Sequence, residues 1–403
     1  MATVCLQRAK AAPLKITLCM SSSSSFSNIF VPHFRTTRSL VVDSISTTED
    51  LKNVFPNPLQ SMPTLQSLEL SRSVFEADWD RSIDPFVLFT IPALERLSLE
   101  DIPLYPSLCG LSTLTEFTIT DIHFDLHLDT LLNFLEGNPC LERVTLTTFF
   151  TDHILLGLQR KTVTMNRLRY LSIRSADKME LQALISNIPL QKGADLNLYL
   201  DDEDMTLNDI LPGISAGHLS NPPSPTFFEL NHGSFARQIT LNGPGGKLSF
   251  FASSWRELSL ADFAVLPLAN VREVRLSYWK EIRPDAFKPP TFYPMYFPAL
   301  ETLTVDRSPD VLGVLSILLS NSPHSSSLKT IGFLNCDLSE EFMEELTKIA
   351  SERRNAPNST WLNRVQIVHS DGAFPSAASI RTLRKYVKVV ETRIEDKFST
   401  DLA

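Results

Sequence analysis

Four segments of this chain superimpose almost residue for residue: Met62-Pro63-Thr64-Leu65-Gln66-Ser67-Leu68-Glu69-Leu70, Ile91-Pro92-Ala93-Leu94-Glu95-Arg96-Leu97-Ser98-Leu99, Asn138-Pro139-Cys140-Leu141-Glu142-Arg143-Val144-Thr145-Leu146 and Phe297-Pro298-Ala299-Leu300-Glu301-Thr302-Leu303-Thr304-Val305. Each reads x-P-x-L-x-x-Φ-x-Φ, where Φ is apolar. The proline bars continuation of a preceding helix and sets the chain extended. The Φ-x-Φ alternation that follows describes a strand with one face inward. Copies without the proline start at Leu114, Leu168, Trp255, Val271, Leu328 and Leu362, and a weaker one places Leu40 and Val42 inward. Starts are mostly about 27–29 residues apart, with shorter steps before Leu114 and Val271 and a longer one before Leu362. A chain of 403 residues would otherwise divide into two or three domains. A period of this size predicts an elongated stack of repeats instead.

One strand and its return segment cannot bury their apolar side alone, so neighbours must lie alongside in parallel. Every second strand residue is polar, which predicts one sheet face open to water. Between strands the spacing predicts helices. Residues 129–136 set Leu131, Leu132 and Leu135 on one side, and residues 310–320 do the same with Val311, Val314, Leu315 and Leu318. Ser339 reads as an N-cap, with Glu340 and Glu341 in the first turn and Phe342, Met343, Leu346 and Ile349 inward. The fold class expected is an α/β solenoid, a horseshoe with a parallel concave sheet and an irregular helical or loop convex side.

The L-x-x-L-x-L frame resembles the leucine-rich repeat, and Leu328-x-x-Ile331-x-Phe333-x-x-Cys336 matches its fuller form. Other copies place Ile102, Ile122, Phe149, Ala176 and Phe263 where that family prefers Asn or Cys, so irregular turns are expected. The resemblance covers residues 36–370, with a poor stretch at about 190–253. That stretch holds Asp201-Asp202-Glu203-Asp204, Asn221-Pro222-Pro223-Ser224-Pro225 and Gly243-Pro244-Gly245-Gly246. It reads either as loops inserted into distorted repeats or as a domain boundary; Leu196-x-Leu198-x-Leu200 and Ile239-x-Leu241 favour distorted repeats. Residues 6–18 resemble the segment that follows the F-box in fungal F-box/leucine-rich-repeat proteins. The resemblance implies a lead-in over residues 1–35 and a substrate-recognition role in ubiquitin ligation. The F-box itself would fall before Met1, so a cullin-ligase adaptor is an expected partner only if such a segment lies upstream. Residues 371–403 are expected to cap the array, with a long helix over 376–397.

The formal net charge of −9 argues against a protein built to grip nucleic acid or an anionic membrane. The longest apolar stretch, residues 311–319, is too short to span a bilayer. Cysteines at 5, 19, 109, 140 and 336 form no CxxC, which reads as reduced thiols in a cytoplasmic or nuclear protein. Residues 1–20 make a poor signal peptide, and the sequon at Asn358-Ser359-Thr360 reads as chance.

Catalytic signatures are weak. Gly243-Pro244-Gly245-Gly246-Lys247 fails the phosphate-loop spacing, because Leu241 stands at the first glycine and Leu248 at the magnesium ligand; it reads as a tight turn. His123 and His127 could share a metal on a helix, but their segment alternates and suits extended chain equally. No G-x-S-x-G is present. No catalytic residue, metal site or cofactor is expected.

What remains is the open face. Counted from the first apolar residue of each copy, positions three, five and seven should meet water. Position five is mostly Ser or Thr, as in Ser98, Thr118, Thr145, Ser172, Ser259 and Thr304. Position three carries Arg96, Glu116, Arg143, Tyr170, Glu257, Glu273 and Arg364. Arg174 and Asp306 stand at position seven and Arg275 at five. Arg and Tyr most often carry interface energy, although each taken singly also reads as ordinary solvated surface. Tyr278, just past one strand, is predicted outward and Trp279 inward. The function expected is a receptor for an unidentified protein on this face; the alternative is a stand-alone scaffold or inhibitor with no ligase link.

Overall fold

The computed structural model describes residues 12–19, 31–54, 62–73, 84, 86, 91–120, 128–147, 162–175, 178–188, 190–191, 193–200, 225–232, 237–244, 246–252, 266–278, 296–308, 311–320, 327–355, 361–369 and 375–394. The fold is α/β with mostly parallel strands. The chain divides between Asn197 and Leu198 into two compact units.

In the first unit, β1 (Leu14–Cys19), β2 (Thr37–Ile45), β3 (Ser67–Arg72), β4 (Arg96–Glu100), β5 (Glu116–Thr120), β6 (Arg143–Thr147) and β7 (Tyr170–Ser175) pair in chain order, all parallel. Helices α1 (Thr48–Val54), α2 (Leu128–Gly137) and α3 (Lys178–Asn187) fill returns between them. The division falls within β8 (Asp195–Leu200).

The second unit opens differently. Strands β9 (Phe227–His232), β10 (Arg237–Gly243) and β11 (Gly246–Ala252) form an antiparallel meander. Strand β9 also pairs in parallel with β12 (Glu273–Tyr278), which starts a parallel run through β13 (Thr302–Asp306), β14 (Thr330–Leu334), β15 (Arg364–His369) and β16 (Val389–Ile394). Its helices are α4 (Val311–Ser320), α5 (Glu340–Asn355) and α6 (Ala377–Leu383). The poor stretch thus carries β8, β9 and the β10–β11 hairpin, and the division between the compact units falls within it. The glycine turn is the hairpin tip: Gly243 pairs with Gly246, whose φ of +115° suits glycine alone.

The alternation does what the sequence asked of it. Leu97 and Leu99, Phe117 and Ile119, Val144 and Leu146, and Leu171 and Ile173 are buried, as are Leu303 and Val305, Ile331 and Phe333, and Val365 and Ile367 in the second unit. The four leucines that follow the prolines are buried too.

The prolines themselves play a different part from the one expected. In each copy the leucine N–H reaches back three residues, as from Leu65 to Met62 (3.2 Å), Leu94 to Ile91 (3.3 Å), Leu141 to Asn138 (3.2 Å) and Leu300 to Phe297 (3.1 Å). Proline thus takes the second position of a β-turn, where its fixed φ costs nothing, and the chain becomes extended only after the leucine. The copies at Leu114, Leu168 and Val271 make the same turn without proline.

After each turn the residue at position two lends its carbonyl to the next repeat. The Gln66 carbonyl accepts from Glu95 and Arg96, that of Glu95 from Thr115 and Glu116, that of Thr115 from Glu142 and Arg143, and that of Glu142 from Arg169 and Tyr170, all at 2.8–3.0 Å. The second unit repeats the device from Thr226 through Arg272, Glu301 and Lys329. One carbonyl with two lone pairs satisfies two N–H groups, so repeats are coupled through main chain.

Helix α2 runs where the leucine spacing put it, burying Leu131, Leu132 and Leu135 together with Leu128 and Phe134. Asn138 closes it, donating its side-chain amide to the Phe134 carbonyl at 2.7 Å. In α5, Ser339 Oγ accepts from the Phe342 N–H at 3.1 Å, the cap anticipated.

Both ends carry a strand, and at the C-terminal end this corrects the long helix expected there. Residues 14–19 of the lead-in are a strand in register with β2, because Ile16 and Leu18 point inward between exposed Lys15 and Thr17. At the other end the long helix stops at Leu383, and a further strand follows. The β-branched run Val387-Lys388-Val389-Val390 prefers a sheet, and β15 offers an unpaired edge. Its 3,4 apolar spacing also fits one more repeat: Val387 and Val390 are buried at the positions that Leu362, just before β15, and Val365, within it, take in the preceding copy.

Among the described residues no helix is long and apolar enough to cross a membrane. Cys19, Cys109, Cys140 and Cys336 are all free thiols. Cys336 is buried and donates to the Val305 carbonyl of the neighbouring strand at 3.4 Å, a side-chain link between repeats. Burial, helped by the Asp306 charge, pushes its thiol up to about 11. In the native protein a thiol reagent is therefore expected to modify exposed Cys19 promptly and Cys336 only after denaturation, read by peptide mass mapping. Equal rates at the two sites would contradict the burial.

Candidate protein-binding face

Parallel register sets the polar residues of successive strands side by side. In the first unit Arg96 pairs with Glu116, Glu116 with Arg143, and Arg143 with Tyr170, so four of the expected residues form one row across β4 to β7. Adjacent strands lie about 4.8 Å apart, which makes the row a continuous strip of side chains. Arg96 and Arg143 are exposed; Glu116 and Tyr170 are half-buried. The Arg143 guanidinium carbon sits 4.5 Å from the centroid of the Tyr170 ring. That contact holds both side chains in place and leaves the guanidinium edge for an acceptor. Beside the strip runs a row of hydroxyls from Ser98, Thr118, Thr145 and Ser172, also in register. Arg174 is exposed at position seven, opposite Thr147 of β6.

In the second unit the expected residues are spread out and largely engaged with one another. Arg275 lies between two carboxylates, its Nη2 at 2.9 Å from Asp306 Oδ2 and its Nε at 3.7 Å from Glu229. Asp306, expected to face water, is buried, with Arg307 Nε at 3.4 Å on its other oxygen. Arg364 is exposed and hydrogen-bonded to Glu391 of β16; that bond, more than the nearby positive charge, holds the Glu391 carboxyl below its usual range. Glu273 is exposed. The cations of this face thus have their charge matched locally.

No protein-family model and no curated protein matches the chain. The functional reading rests on its own geometry.

Tyr278 is corrected. It is 2% exposed, because β12 runs two residues further than the repeat frame suggested and position eight continues the inward alternation of Val274 and Leu276. The same position is buried in Asp101, Ser175 and His369. Ser172 and Ser277 are also buried, so the face is open in patches rather than throughout. Glu257, Ser259, Trp279, His123 and His127 lie outside the described residues. Among the described residues no cluster of His, Cys, Asp or Glu could hold a metal ion.

Sequence reasoning missed the partners. Glu229 and Glu391 belong to strands outside the clean repeat frame, so nothing marked them as neighbours of Arg275 and Arg364. It also missed Arg72 and Asp101, a pair at position eight with side chains 7% and 4% exposed and 3.7 Å between Nη1 and Oδ2.

Proposed function

We propose that the chain is a protein-interaction receptor of the leucine-rich-repeat type, a solenoid that presents its polar strand face to a partner. The observation that carries the reading is the strip Arg96–Glu116–Arg143–Tyr170, in register on four adjacent strands with the arginine held over the tyrosine ring. Arg and Tyr supply contact area and directed hydrogen bonds at little entropic cost once they are held in place. Beside the strip, Ser98, Thr118 and Thr145 form a row of short hydroxyl side chains that lets a partner approach. The resemblance of residues 6–18 to the post-F-box segment supports a place in ubiquitin ligation, as the substrate-recognition part of a ligase subunit.

The test is quantitative affinity purification of the full-length gene product, wild type against Arg143→Glu/Tyr170→Ala. The cullin adaptor is expected in the wild-type complex, together with a partner whose recovery falls about tenfold or more in the variant. Absence of adaptor and cullin would leave a scaffold or inhibitor without a ligase link. Unchanged recovery of every partner by a variant that melts like wild type would remove the strip from the interface.

A further inference from the structure

A groove in the first unit lies apart from the strip, at the turn end of β6, β7 and the chain entering β8. It encloses about 580 Å³, with Leu168 and Ala194 as its floor. Its walls are Asn166 and Arg167 on one side and Gln191 and Gly193 on the other, and Glu142 and Arg169 complete it. The two walls are clipped together, Gln191 Nε2 donating to Asn166 Oδ1 at 3.1 Å.

The Glu142 carbonyl takes two N–H groups and the Arg169 carbonyl takes that of Asp195 at 2.7 Å, so at these two residues the side chains are what a ligand meets. Those side chains are largely unengaged. Among the described residues Arg167 makes one long contact, to Cys140 Sγ at 3.6 Å. Arg169 and Glu142 face the same groove from adjacent repeats, yet neither has an ion-pair or side-chain hydrogen-bond partner among the described residues. Gly193 adds no side chain at the mouth, where a Cβ would meet nothing within 4 Å.

We propose that this groove binds an acidic peptide segment, with the guanidinium groups of Arg167 and Arg169 taking the carboxylate of an Asp or Glu side chain. Two guanidinium groups against one carboxylate leave the groove net positive on a chain whose formal charge is −9. Guanidinium forks match planar oxyanions and carry several donors each. Glu142 decides between oxyanions. Its negative charge opposes a phosphate dianion more than a singly charged carboxylate, and it accepts the main-chain N–H groups that an extended peptide brings. The proposal does not depend on the receptor reading, because none of the strip residues lines the groove.

The experiment is fluorescence anisotropy with the full chain and a short labelled Gly/Ser peptide carrying a central Asp-Asp pair, beside its Asn-Asn and phosphoserine counterparts. The Asp peptide is expected to bind and the Asn peptide to bind at least about tenfold more weakly, the loss of a charge-assisted pair. Arg169→Glu should weaken the Asp peptide by a similar factor, Glu142→Gln should tighten it, and Tyr170→Ala should leave it unchanged. Thermal melting of each variant separates lost binding from lost fold, and a gain on Glu142→Gln cannot come from unfolding. Equal binding of Asp and Asn peptides, no binding at all, or indifference to Arg169→Glu overturns the proposal. Preference for phosphoserine overturns the choice of carboxylate, and loss on Tyr170→Ala moves the peptide to the strip.

Discussion

Replacing Phe117 with alanine is expected to destabilise the first unit by about 3–5 kcal/mol, a large share of what holds a domain together. Phe117 is fully buried on β5, and its ring centroid lies 4.4 Å from that of Phe134 on α2. Its register neighbours, Leu97 on β4 and Val144 on β6, are buried as well. Each is fixed by its own strand, so the space left by the ring cannot close from the sides. Phe134→Ala should cost a similar amount. The double variant should cost less than the sum, by about 0.5–1.5 kcal/mol, the part carried by ring-on-ring contact. Urea unfolding followed by hydrogen exchange in peptides covering β4, β5 and β6 reads the effect. A loss below about 1 kcal/mol would mean that α2 does not rest on the strand row.

The second large effect is expected at Arg72. Its guanidinium and the Asp101 carboxylate are both nearly sealed from water at the ends of β3 and just past β4. Arg72→Met keeps most of the stem volume and removes the charge, which leaves Asp101 buried with its main counter-charge gone. The expected cost is about 3–5 kcal/mol. Asp101 has a left-handed φ of +52° and donates its N–H to the Thr120 carbonyl at 3.0 Å. Asn tolerates that backbone, so Asp101→Asn isolates the charge from the conformation. Because the double variant removes both charges, it should recover much of what Arg72→Met alone loses. If Arg72→Met melts like the wild type, the pair is solvated in solution.

The repeat frame was legible because every copy repeats one arithmetic: a turn, a leucine, and two inward residues two apart. That was enough to place β3 to β7, β12 to β15 and the helices α2, α4 and α5. It fell short wherever the signal was shared between periods. The spacing of Ile380, Leu383, Val387 and Val390 satisfies a helix, and only the run of β-branched residues and a free edge at β15 turn it into a strand. Tyr278 was misread because the length of a strand past its last alternating leucine is set by what lies beyond it. Four of the proposed contact residues came together because position in a repeat maps onto position in a row. The ion pairs of Arg275 and Arg364 did not declare themselves, since Glu229 and Glu391 sit in strands whose membership in the frame is weak.

The ladder of shared carbonyls has one more consequence. Gln66, Glu95, Thr115 and Glu142 in the first unit and Arg272, Glu301 and Lys329 in the second occupy equivalent places and differ in size, sign and polarity, yet the carbonyl of each takes the same two bonds. The fastening ignores the side chain. Such a protein can change the sign and texture of what it displays, one rung at a time, without reworking how its rungs are joined.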